Sequence, residues 1–415
     1  MNIYMSREVK SVYFYNNSVI LNFDSSVANH SVGLAYITYC ICNGINDIDI
    51  IALNLIDKFK ILEDLDKTKK TILSYTIEDD RVQKAFTLDS SEANMTPGIQ
   101  GAFEKKFPQL LHIELTGKCN FMCEHCYKNA MSNGKNADFA FLEEKIYTRL
   151  KGIVPVVHFT GGEATLHKDF EEIVELFSDG YILQLTTNGS RITSFPIDVF
   201  KKFQSIDVSL YGLSANDYEH NTGSAQAFNW VTKGCMALKA ADIGYRTTLV
   251  VNNNNWHQME DYVRYAIDIG AESFGFALPM TSGKILNTTE DKWHLSKDTK
   301  REIYRTYRFI YDKYKDKIQI SEWYRHGYSD MWKSYPVDDM LRCGAGRSNW
   351  WMSENFTFRP CAFLPDEYLN LNYDDWYSYI VNQYKIDWPK ARNNLELFAS
   401  NNDLDITDLC TIFRK

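Results

Sequence analysis

Short apolar segments recur at a regular spacing through the middle of the chain. They lie near residues 111–116, 156–160, 181–187, 205–211, 245–251 and 272–279. Between them, apolar residues fall three or four positions apart, which is typical of amphipathic helices. One such stripe comprises Phe170, Ile173, Val174 and Phe177. Strands that alternate with helices form a parallel sheet. We therefore predict an α/β fold with a partial (β/α)6 barrel over residues 109–315, with Cys235 packed in its core.

The N-terminal segment has a different pattern, in which predicted strands precede predicted helices. Val12–Phe23 is typical of a β-hairpin with Asn16 and Asn17 at its turn. Gly33–Cys42 is apolar and is typical of a further strand.

Helical patterns follow these strands. Asp47 is placed to cap a helix that begins at the next residue, because aspartate accepts hydrogen bonds from the first N–H groups of a helix. Shorter helical stretches lie near residues 67–75 and 79–86. We predict a winged-helix-like α+β domain over residues 1–92 and a linker over residues 93–108.

The C-terminal part contains a second hairpin pattern. Two β-like runs, Asn349–Met352 and Thr357–Arg359, lie close together, with Cys343 before the first and Cys361 after the second. Since the two ends of an antiparallel hairpin meet, both sulfurs can reach one metal centre. We predict a small α+β domain over residues 316–415.

Composition narrows the class of protein. The chain has 415 residues, is 45% hydrophobic and carries a net charge of −9, which argues against the nucleic-acid backbone as a main partner. No long uncharged apolar run could span a membrane, and the first residues lack the apolar region of a signal peptide. Nine cysteines cannot all pair internally. These features favour a reducing cytoplasm.

Three cysteines directly after the first barrel strand are the strongest chemical signal. Cys119, Cys123 and Cys126 have the spacing Cys-x3-Cys-x2-Cys. Three thiolates on one loop can bind three irons of a four-iron, four-sulfur cluster and leave the fourth iron open. Zinc is the alternative, with His125 as a fourth ligand, although a ligand directly beside Cys126 would strain a tetrahedral site.

Polar motifs also follow the next three strands. Gly161, Gly162 and Glu163 end the second, Thr187–Asn188 end the third, and Ser209 lies at the end of the fourth. Glycine lets a ligand approach the backbone, and the Glu163 carboxylate can accept a hydrogen bond from an ammonium group. In β/α barrels, active residues gather at the carboxyl ends of the strands.

These motifs together resemble the signature of the radical S-adenosylmethionine (SAM) enzymes, whose core is a partial β/α barrel. The resemblance implies that Cys119, Cys123 and Cys126 bind a four-iron, four-sulfur cluster. It also implies that the amino and carboxylate groups of SAM bind the open iron. The reduced cluster would then split SAM into methionine and a 5′-deoxyadenosyl radical.

The resemblance also implies a set of SAM-binding residues. They are Gly161, Gly162, Glu163, Thr187, Asn188, Ser209 and Arg246. The Gly-Gly-Glu motif of the family binds the SAM amino group, and the ends of the next two strands lie near the ribose. Arg246 is a candidate partner of the SAM carboxylate, with a salt bridge inside the protein as the alternative. The family often has aspartate where Tyr211 stands.

Both terminal regions resemble parts of peptide-modifying radical SAM enzymes. The N-terminal order of elements is similar to the PqqD-like element that binds leader peptides. The region around Cys343 and Cys361 resembles a twitch or SPASM domain and the sactipeptide thioether synthases. This resemblance implies one auxiliary iron–sulfur cluster on Cys343, Cys361 and Cys410, with a free cysteine as the alternative for Cys410. A turn glycine that is usual in the family is replaced by Phe356.

The resemblance implies modification of a ribosomally made precursor peptide that carries a leader. We expect a thioether or another side-chain cross-link, and a flavodoxin- or ferredoxin-type reductant. Alternative functions are peptide epimerisation and action on a small molecule or protein side chain, as in tetrapyrrole modification or sulfatase maturation. A DNA-binding iron–sulfur or zinc sensor is a non-enzymatic alternative. The sequence identifies no catalytic acid or base.

Overall fold

The structure is a computed structural model. It describes residues 1–9, 11–15, 18–22, 27–30, 32–59, 64–77, 85–94, 98–101, 108–288, 291–320, 345–346, 348–402 and 404. The predictions for Asn16, Asn17, Cys343 and Cys410 lie outside these residues.

The chain forms two compact units. The first comprises Met1–Gln109, Leu150–Pro155 and Ile380–Gln383, and the second comprises Leu110–Arg149, Val156–Tyr379 and Tyr384–Lys415.

The N-terminal unit contains short strands and three longer helices among its described residues. The strands are β1 (Tyr4–Met5), β2 (Ser11–Tyr15), β3 (Ser18–Asn22), β4 (Val27–His30), β5 (Phe86–Thr87) and β6 (Gly98–Gly101), and the helices are α1 (Val32–Cys42), α2 (Ile48–Phe59) and α3 (Leu65–Ile77). One sheet has the order β4-β3-β2-β6, and β1 pairs with β5. Strand β6 is parallel to β2, whereas the pairs β2–β3 and β3–β4 are antiparallel.

Two predictions for this unit are confirmed. The predicted hairpin is formed by β2 and β3. The Asp47 side chain accepts hydrogen bonds from the N–H groups of Asp49 at 2.9 Å and Ile50 at 3.2 Å, so it caps α2. The apolar face of α2, with Ile51 and Leu55, is buried.

The prediction of a strand over Gly33–Cys42 is wrong, because these residues lie in α1. An apolar run without alternating polar residues does not distinguish a strand from a buried helix. The Thr38 hydroxyl donates to the Leu34 carbonyl at 2.8 Å, a contact across one helical turn. In the predicted linker, Gly98–Gly101 form β6 and so belong to the sheet.

The second unit contains the predicted alternation of strands and helices. Its strands are β7 (Leu110–Thr116), β8 (Val156–Gly161), β9 (Ile182–Thr187), β10 (Phe203–Leu210), β11 (Arg246–Val250), β12 (Ser273–Ala277), β13 (Gln319–Ile320), β14 (Asn349–Met352) and β15 (Phe358–Arg359). The α-helices that begin in it are α4 (Phe139–Phe141), α5 (Thr148–Leu150), α6 (Phe170–Ser178), α7 (Asp198–Lys201), α8 (Ala215–Thr222), α9 (Gln226–Ala240), α10 (Met259–Ile269), α11 (Lys297–Tyr314), α12 (Tyr373–Asn382) and α13 (Trp388–Asn401). A π-helical turn covers Leu142–Tyr147.

These strands form one sheet with the order β13-β12-β11-β10-β9-β8-β7-β14-β15. Strands β7 to β12 are parallel and neighbour one another in chain order. Among the described strands, β13 and β15 are the two edges of the sheet, so the sheet does not close into a full barrel. This confirms the predicted α/β fold with a partial barrel. Strand β14 extends the sheet parallel to β7, and β15 returns antiparallel to β14.

Helices pack on one face of the sheet, and polar side chains lie on the other. The predicted stripe on α6 is fully buried, as is Cys235 on α9. On β11, Thr247 and Leu249 are buried, whereas Arg246 and Thr248 are partly exposed. We call the face that carries Arg246 and Thr248 the inner face. No described helix is both long enough and apolar enough to span a lipid bilayer.

Candidate active site

The cysteine loop begins where β7 ends, and backbone hydrogen bonds fold it back on itself. The Gly117 N–H donates to the Lys135 carbonyl at 2.7 Å, and the Cys119 N–H donates to the Met131 carbonyl at 3.0 Å. A Cβ atom on Gly134 would lie 2.1 Å from the Gly117 carbonyl carbon, so this close approach requires glycine. The fold-back holds the loop at the carboxyl end of the sheet.

Two of the loop sulfurs accept hydrogen bonds from backbone N–H groups. The Phe121 N–H donates to Cys119 Sγ and the Ala130 N–H donates to Cys126 Sγ, each at 3.4 Å. The Tyr211 side chain lies beside the third cysteine, Cys123. Donors aimed at sulfur favour the thiolate, which is the form that binds metal.

The loop thiols lie close enough to influence one another. Burial, with smaller contributions from the charges of Glu163 and Cys126, raises the pKa of Cys119 to about 12. Burial also raises the pKa of Cys123, with smaller contributions from Cys119 and Cys126. Thiolates in this place therefore need a positive partner such as a cluster iron.

In a four-iron, four-sulfur cluster, three of the irons would each take one of these cysteines. In the part of the chain that the structure describes, no three histidine, cysteine or carboxylate side chains converge on the position of a single metal ion. The His125 ring packs against Trp293, with 4.7 Å between ring centroids. Burial lowers the pKa of His125 to about 4 and keeps the ring neutral.

The Gly-Gly-Glu motif at the end of β8 lies against the end of β7. The N–H groups of Gly162 and Glu163 donate to the carbonyls of Thr116 and Lys118, both at 2.7 Å. A Cβ atom on Gly161 would lie 2.5 Å from the Thr116 oxygen, and one on Gly162 would lie 2.2 Å from the Lys118 oxygen. Our expectation that these glycines leave room for a ligand is therefore incomplete, because the loop backbone fills the space beside both.

The Glu163 carboxylate is buried and held by the end of β9. Its Oε1 accepts from the hydroxyls of Thr165 at 2.6 Å and Thr187 at 2.7 Å, and its Oε2 accepts from the Asn188 N–H at 2.6 Å. The structure thus brings Glu163, Thr187 and Asn188 together, as the resemblance implied. Thr165 was missed, although it follows the motif by only two residues.

A chain of side chains connects the end of β9 to the cysteine loop. Asn188 Nδ2 donates to Asn120 Oδ1 at 2.9 Å, and Asn120 Nδ2 donates to the Ser190 hydroxyl at 2.9 Å. The Asn188 side chain also lies beside Cys119. Asn188 therefore contacts both the predicted cluster ligands and the predicted SAM-binding residues.

Ser209 lies on β10 next to Tyr211. The side chains of these two residues lie beside each other, and the Tyr211 side chain also lies beside Cys123. Burial raises the pKa of Tyr211 well above its usual value, so the phenol keeps its proton. Ser209 and Tyr211 thus both lie near the cysteine loop.

Arg246 forms a salt bridge, the alternative that the sequence left open. Its Nε lies 3.6 Å from Asp207 Oδ2, and the Thr248 hydroxyl donates to both Asp207 oxygens at 2.7 and 2.9 Å. A Cβ atom on Gly275 would lie 2.0 Å from an Arg246 guanidinium nitrogen, so Gly275 makes room for the guanidinium. Ser209, Thr248 and Gly275 lie side by side on neighbouring strands. The guanidinium beside Gly275 therefore lies one layer of side chains below the carboxyl ends of these strands.

A buried ionic network beside the cysteine loop was not predicted. Lys128 Nζ lies 2.6 Å from Glu114 Oε2 and 2.5 Å from Glu354 Oε2. The Arg359 guanidinium lies 3.3 Å from both Glu114 oxygens, and the Tyr127 hydroxyl donates to Glu114 at 3.2 Å. One signal of this network was present in the sequence, because Glu114 is a charged residue within the largely apolar segment Leu110–Thr116.

Two histidines lie deeper on the inner face. The His112 ring stacks on Trp351 with 3.9 Å between centroids, and it lies 4.8 Å from the His158 ring. Burial lowers the pKa of His112 well below its usual value and that of His158 to about 4. Both rings are therefore neutral near pH 7, and His158 Nε2 pairs with the Thr186 hydroxyl at 2.8 Å.

One of the three cysteines predicted to bind an auxiliary cluster lies among the described residues, beside the second hairpin. Cys361 follows β15, is partly exposed and interacts electrostatically with Arg359. Cys343 and Cys410 are outside the described residues. Phe356 in the hairpin turn has a φ of +62°, and its ring stacks on Phe141 with 3.8 Å between centroids.

Comparison with known proteins identifies similar sequences and folds. Residues 113–266 match the Radical SAM superfamily. The chain is similar to the antilisterial bacteriocin subtilosin biosynthesis protein AlbA of Bacillus subtilis (strain 168), with 24% identity over 290 residues, which are 67% of this chain and 60% of AlbA. The match thus spans less than two thirds of AlbA.

The fold resembles that of SuiB from Streptococcus suis. The structure of SuiB bound to S-adenosylmethionine gives a TM-score of 0.61 at 17% identity, over 94% of this chain and 90% of SuiB. SuiB bound to its precursor peptide SuiA gives a TM-score of 0.59 at 16% identity, over 90% of this chain and 88% of SuiB. At such identities the likeness concerns the fold.

The matched segment contains Cys119, Cys123 and Cys126 as well as all the predicted SAM-binding residues. It coincides with the part of the sheet at whose carboxyl end these side chains meet. Residues 113–266 therefore form a radical SAM domain.

Proposed function

We propose that this enzyme modifies a ribosomally made precursor peptide and installs a thioether or another side-chain cross-link. The observation that carries the proposal is the extent of the likeness to SuiB. It covers 94% of the chain, whereas the superfamily match covers only residues 113–266. The regions outside the radical SAM domain thus support a peptide substrate, as does the similarity to AlbA, whose name describes bacteriocin biosynthesis.

In this proposal Cys119, Cys123 and Cys126 hold the cluster that binds SAM. When bound, these cofactors supply a carbon radical that removes a hydrogen atom from an unactivated carbon of the substrate. Glu163 Oε2 accepts one described hydrogen bond, from Asn188. A carboxylate oxygen can accept a second, so the SAM ammonium group has an acceptor there.

The neighbouring side chains hold this acceptor in place. Thr165 and Thr187 fix the Glu163 carboxylate, so its orientation does not depend on the cofactor. Asn188 and Ser209 would lie near the ribose, and Arg246 would face the carboxylate end of SAM from one layer below. Packed strand ends of this kind exclude water from a radical reaction.

The N-terminal unit would bind the leader of the peptide. Its sheet order places β4 and β6 at the two ends among the described strands. An extended peptide can add a strand to such an edge through main-chain hydrogen bonds. We therefore assign a PqqD-like role to residues 1–92, followed by a linker over 93–108 and a radical SAM barrel over 109–315.

Residues 316–415 would form a twitch-like domain with one auxiliary cluster on Cys343, Cys361 and Cys410. That cluster would bind a substrate thiolate or accept an electron after bond formation. A flavodoxin- or ferredoxin-type protein would reduce the SAM-binding cluster, and the enzyme would work in the cytoplasm.

The first test is the iron and sulfide content per chain after anaerobic reconstitution. We expect about eight irons in the wild type and about four in a variant with alanine at Cys119, Cys123 and Cys126. The variant Cys235→Ala is the control, because Cys235 is a buried cysteine on α9. Zinc in place of iron would contradict the proposal.

The second test concerns the substrate. A short precursor encoded beside the gene should bind the full chain and lose two hydrogens per cross-link in mass spectrometry when SAM and a reductant are added. Cleavage of SAM with no change in any such peptide would contradict the peptide assignment but not the radical SAM domain.

A further inference from the structure

Three polar side chains beside the cysteine loop form a closed ring of hydrogen bonds. Asn188 Nδ2 donates to Asn120 Oδ1 at 2.9 Å, and Asn120 Nδ2 donates to the Ser190 hydroxyl oxygen at 2.9 Å. The Ser190 hydroxyl donates to Asn188 Oδ1 at 2.7 Å and so closes the ring. Each side chain donates one of these hydrogen bonds and accepts another, so a change at any one of them opens the ring.

The turn after β9 holds the ring in one orientation. Asn188 and Ser190 are both buried. The Ser190 N–H also donates to Asn188 Oδ1, at 2.9 Å. Because this oxygen accepts two hydrogen bonds from Ser190, the amide of Asn188 is fixed with its Nδ2 toward Asn120. The ring therefore ties Asn120, which follows Cys119 in the cysteine loop, to a buried support on another strand.

Cys119 lies between two connections to Glu163. On one side of the cysteine, the Lys118 carbonyl accepts from the Glu163 N–H at 2.7 Å. On the other side, Asn120 is joined through the ring to Asn188, whose own N–H donates to Glu163 Oε2 at 2.6 Å. The first connection holds the Glu163 backbone and the second holds its carboxylate. Both neighbours of a predicted cluster ligand thus help to determine where the predicted acceptor of the SAM ammonium group lies.

We infer that Asn120 and Ser190 are positioning residues for SAM, which keep the Glu163 carboxylate at a fixed place relative to the cysteine loop. The inference deepens the proposed function and rests on its SAM site. In that site SAM is held at two points, by Glu163 and by the open iron. A ligand held at two points binds more tightly when both are fixed in advance, because binding then does not have to order them.

The test is the dissociation constant of SAM, measured by equilibrium dialysis of the reconstituted protein under anaerobic conditions. We expect this constant to rise about fivefold in Asn120→Ala and in Ser190→Ala, the factor that corresponds to one net hydrogen bond. The double variant should bind SAM about as weakly as each single variant, because one substitution already opens the ring. Ser190→Thr keeps the hydroxyl and should bind SAM as the wild type does.

A spectroscopic measurement reports on the site directly. A ligand that binds the open iron alters the electron paramagnetic resonance signal of the reduced cluster. At a SAM concentration that half-saturates the wild type, a smaller fraction of this signal should change in Asn120→Ala and in Ser190→Ala. General loss of stability would not produce this effect in protein that retains its iron.

Asn372→Ala is the matched control. The Asn372 amide also donates once and accepts once, from Nδ2 to Asp375 Oδ2 at 2.9 Å and from the Asp375 N–H to Oδ1 at 2.9 Å. Asn372 and Asn120 are both exposed, but Asn372 precedes α12 and its partner Asp375 lies outside the cysteine loop. Its substitution should therefore leave the dissociation constant of SAM unchanged.

An unchanged dissociation constant in iron-replete Asn120→Ala and Ser190→Ala would overturn the inference and leave the proposed function intact, as would an equal rise in Asn372→Ala. If Asn120→Ala does not retain iron, Ser190→Ala decides, because Ser190 lies outside the cysteine loop. Weaker binding that Ser190→Thr restores supports the inference, and wild-type binding overturns it. A wild-type protein that holds an iron–sulfur cluster but binds no SAM would instead contradict the proposed function.

Discussion

At the scale of single residues, Phe356 shows how a side-chain contact can hold an unfavourable backbone. Its φ of +62° is a conformation that glycine adopts freely and other L-residues adopt at a cost of about 1–2 kcal/mol. Stacking on Phe141 offsets this cost. Glycine, which the resemblance implies at this turn, and this phenylalanine are therefore two ways to form the same backbone conformation.

We predict that Phe356→Gly is more stable than Phe356→Ala by about 1 kcal/mol, because both lose the ring but only alanine keeps the strained backbone. The measurement is urea-induced unfolding under anaerobic conditions. The same pair of substitutions at Met236, exposed on α9, should give the opposite order by about 1 kcal/mol. Equal stabilities at position 356 would contradict this account of the turn.

His158 makes stability depend on pH. Its pKa in the folded protein is about 4, against about 6.5 in an unfolded chain. The unfolded state therefore binds more protons between these values, so the stabilisation is present above pH 6.5 and is lost as the pH falls toward 4. His158 alone should account for about 2 kcal/mol of the loss between pH 7 and pH 5. His112 and His125, whose pKa values are also lowered by burial, add to it.

Urea midpoints measured between pH 7 and pH 5 check this prediction. The variant His158→Asn keeps a polar side chain near Thr186 but does not titrate, so its midpoint should change less steeply with pH. His257→Asn is the control, because His257 lies in a short surface turn. A wild-type slope equal to that of His158→Asn would show that another group is responsible.

At the scale of elements, the junction between β7 and β8 decides where the cysteine loop lies. The motif that follows β8 is packed so tightly against Thr116 and Lys118 that only glycine fits. A sequence motif that the family associates with a ligand thus also has a packing role. The two roles are compatible, because positioning the loop is what brings its sulfurs to the carboxyl end of the sheet.

We predict that Gly161→Ala reduces the iron bound per chain to less than half of the wild-type content, because its Cβ would displace the Thr116 carbonyl. Iron and sulfide after anaerobic reconstitution are the measurement. Gly44→Ala is the control, since Gly44 also has a positive φ of +81° but no neighbour within 4 Å. Full iron content in folded Gly161→Ala would contradict the packing role.

At the scale of the whole molecule, the ionic network joins segments that are far apart in the chain. Lys128 belongs to the cysteine loop, Glu114 to β7, and Glu354 to the turn after β14. Because β14 pairs with β7, the second hairpin lies against the loop. The network therefore holds the hairpin that leads to Cys361 against the cysteine loop.

We predict that Lys128→Met destabilises the protein by about 3 kcal/mol, because two buried carboxylates lose their shared partner. Adding Glu354→Gln should recover part of the loss, since one of these charges is then removed. Lys313→Met, at an exposed ion pair with Glu260, should have little effect on the urea midpoint. A loss in Lys128→Met no larger than in Lys313→Met would show that the network is not stabilising.

The sequence by itself determined the features that depend on local spacing. The cysteine loop, the Gly-Gly-Glu motif and the alternation of strands and helices were all recognisable, because helical and strand periodicity and motif spacing are properties of neighbouring residues. The same local reading failed at Gly33–Cys42, where a run without polar positions fits either a strand or a helix. There the choice of helix depends on packing within the N-terminal unit.

Tertiary structure alone decided which distant side chains meet. The pairing of Lys128 with Glu354, the proximity of Tyr211 to Cys123 and the salt bridge of Arg246 with Asp207 bring together residues on different strands or loops. Their partners follow from strand order and register, which no local pattern specifies. The same holds for Gly161 and Gly162 at the end of β8, which in the sequence indicated a ligand site. Only the packed strands showed that the carbonyl oxygens of Thr116 and Lys118 leave no room for a larger residue there.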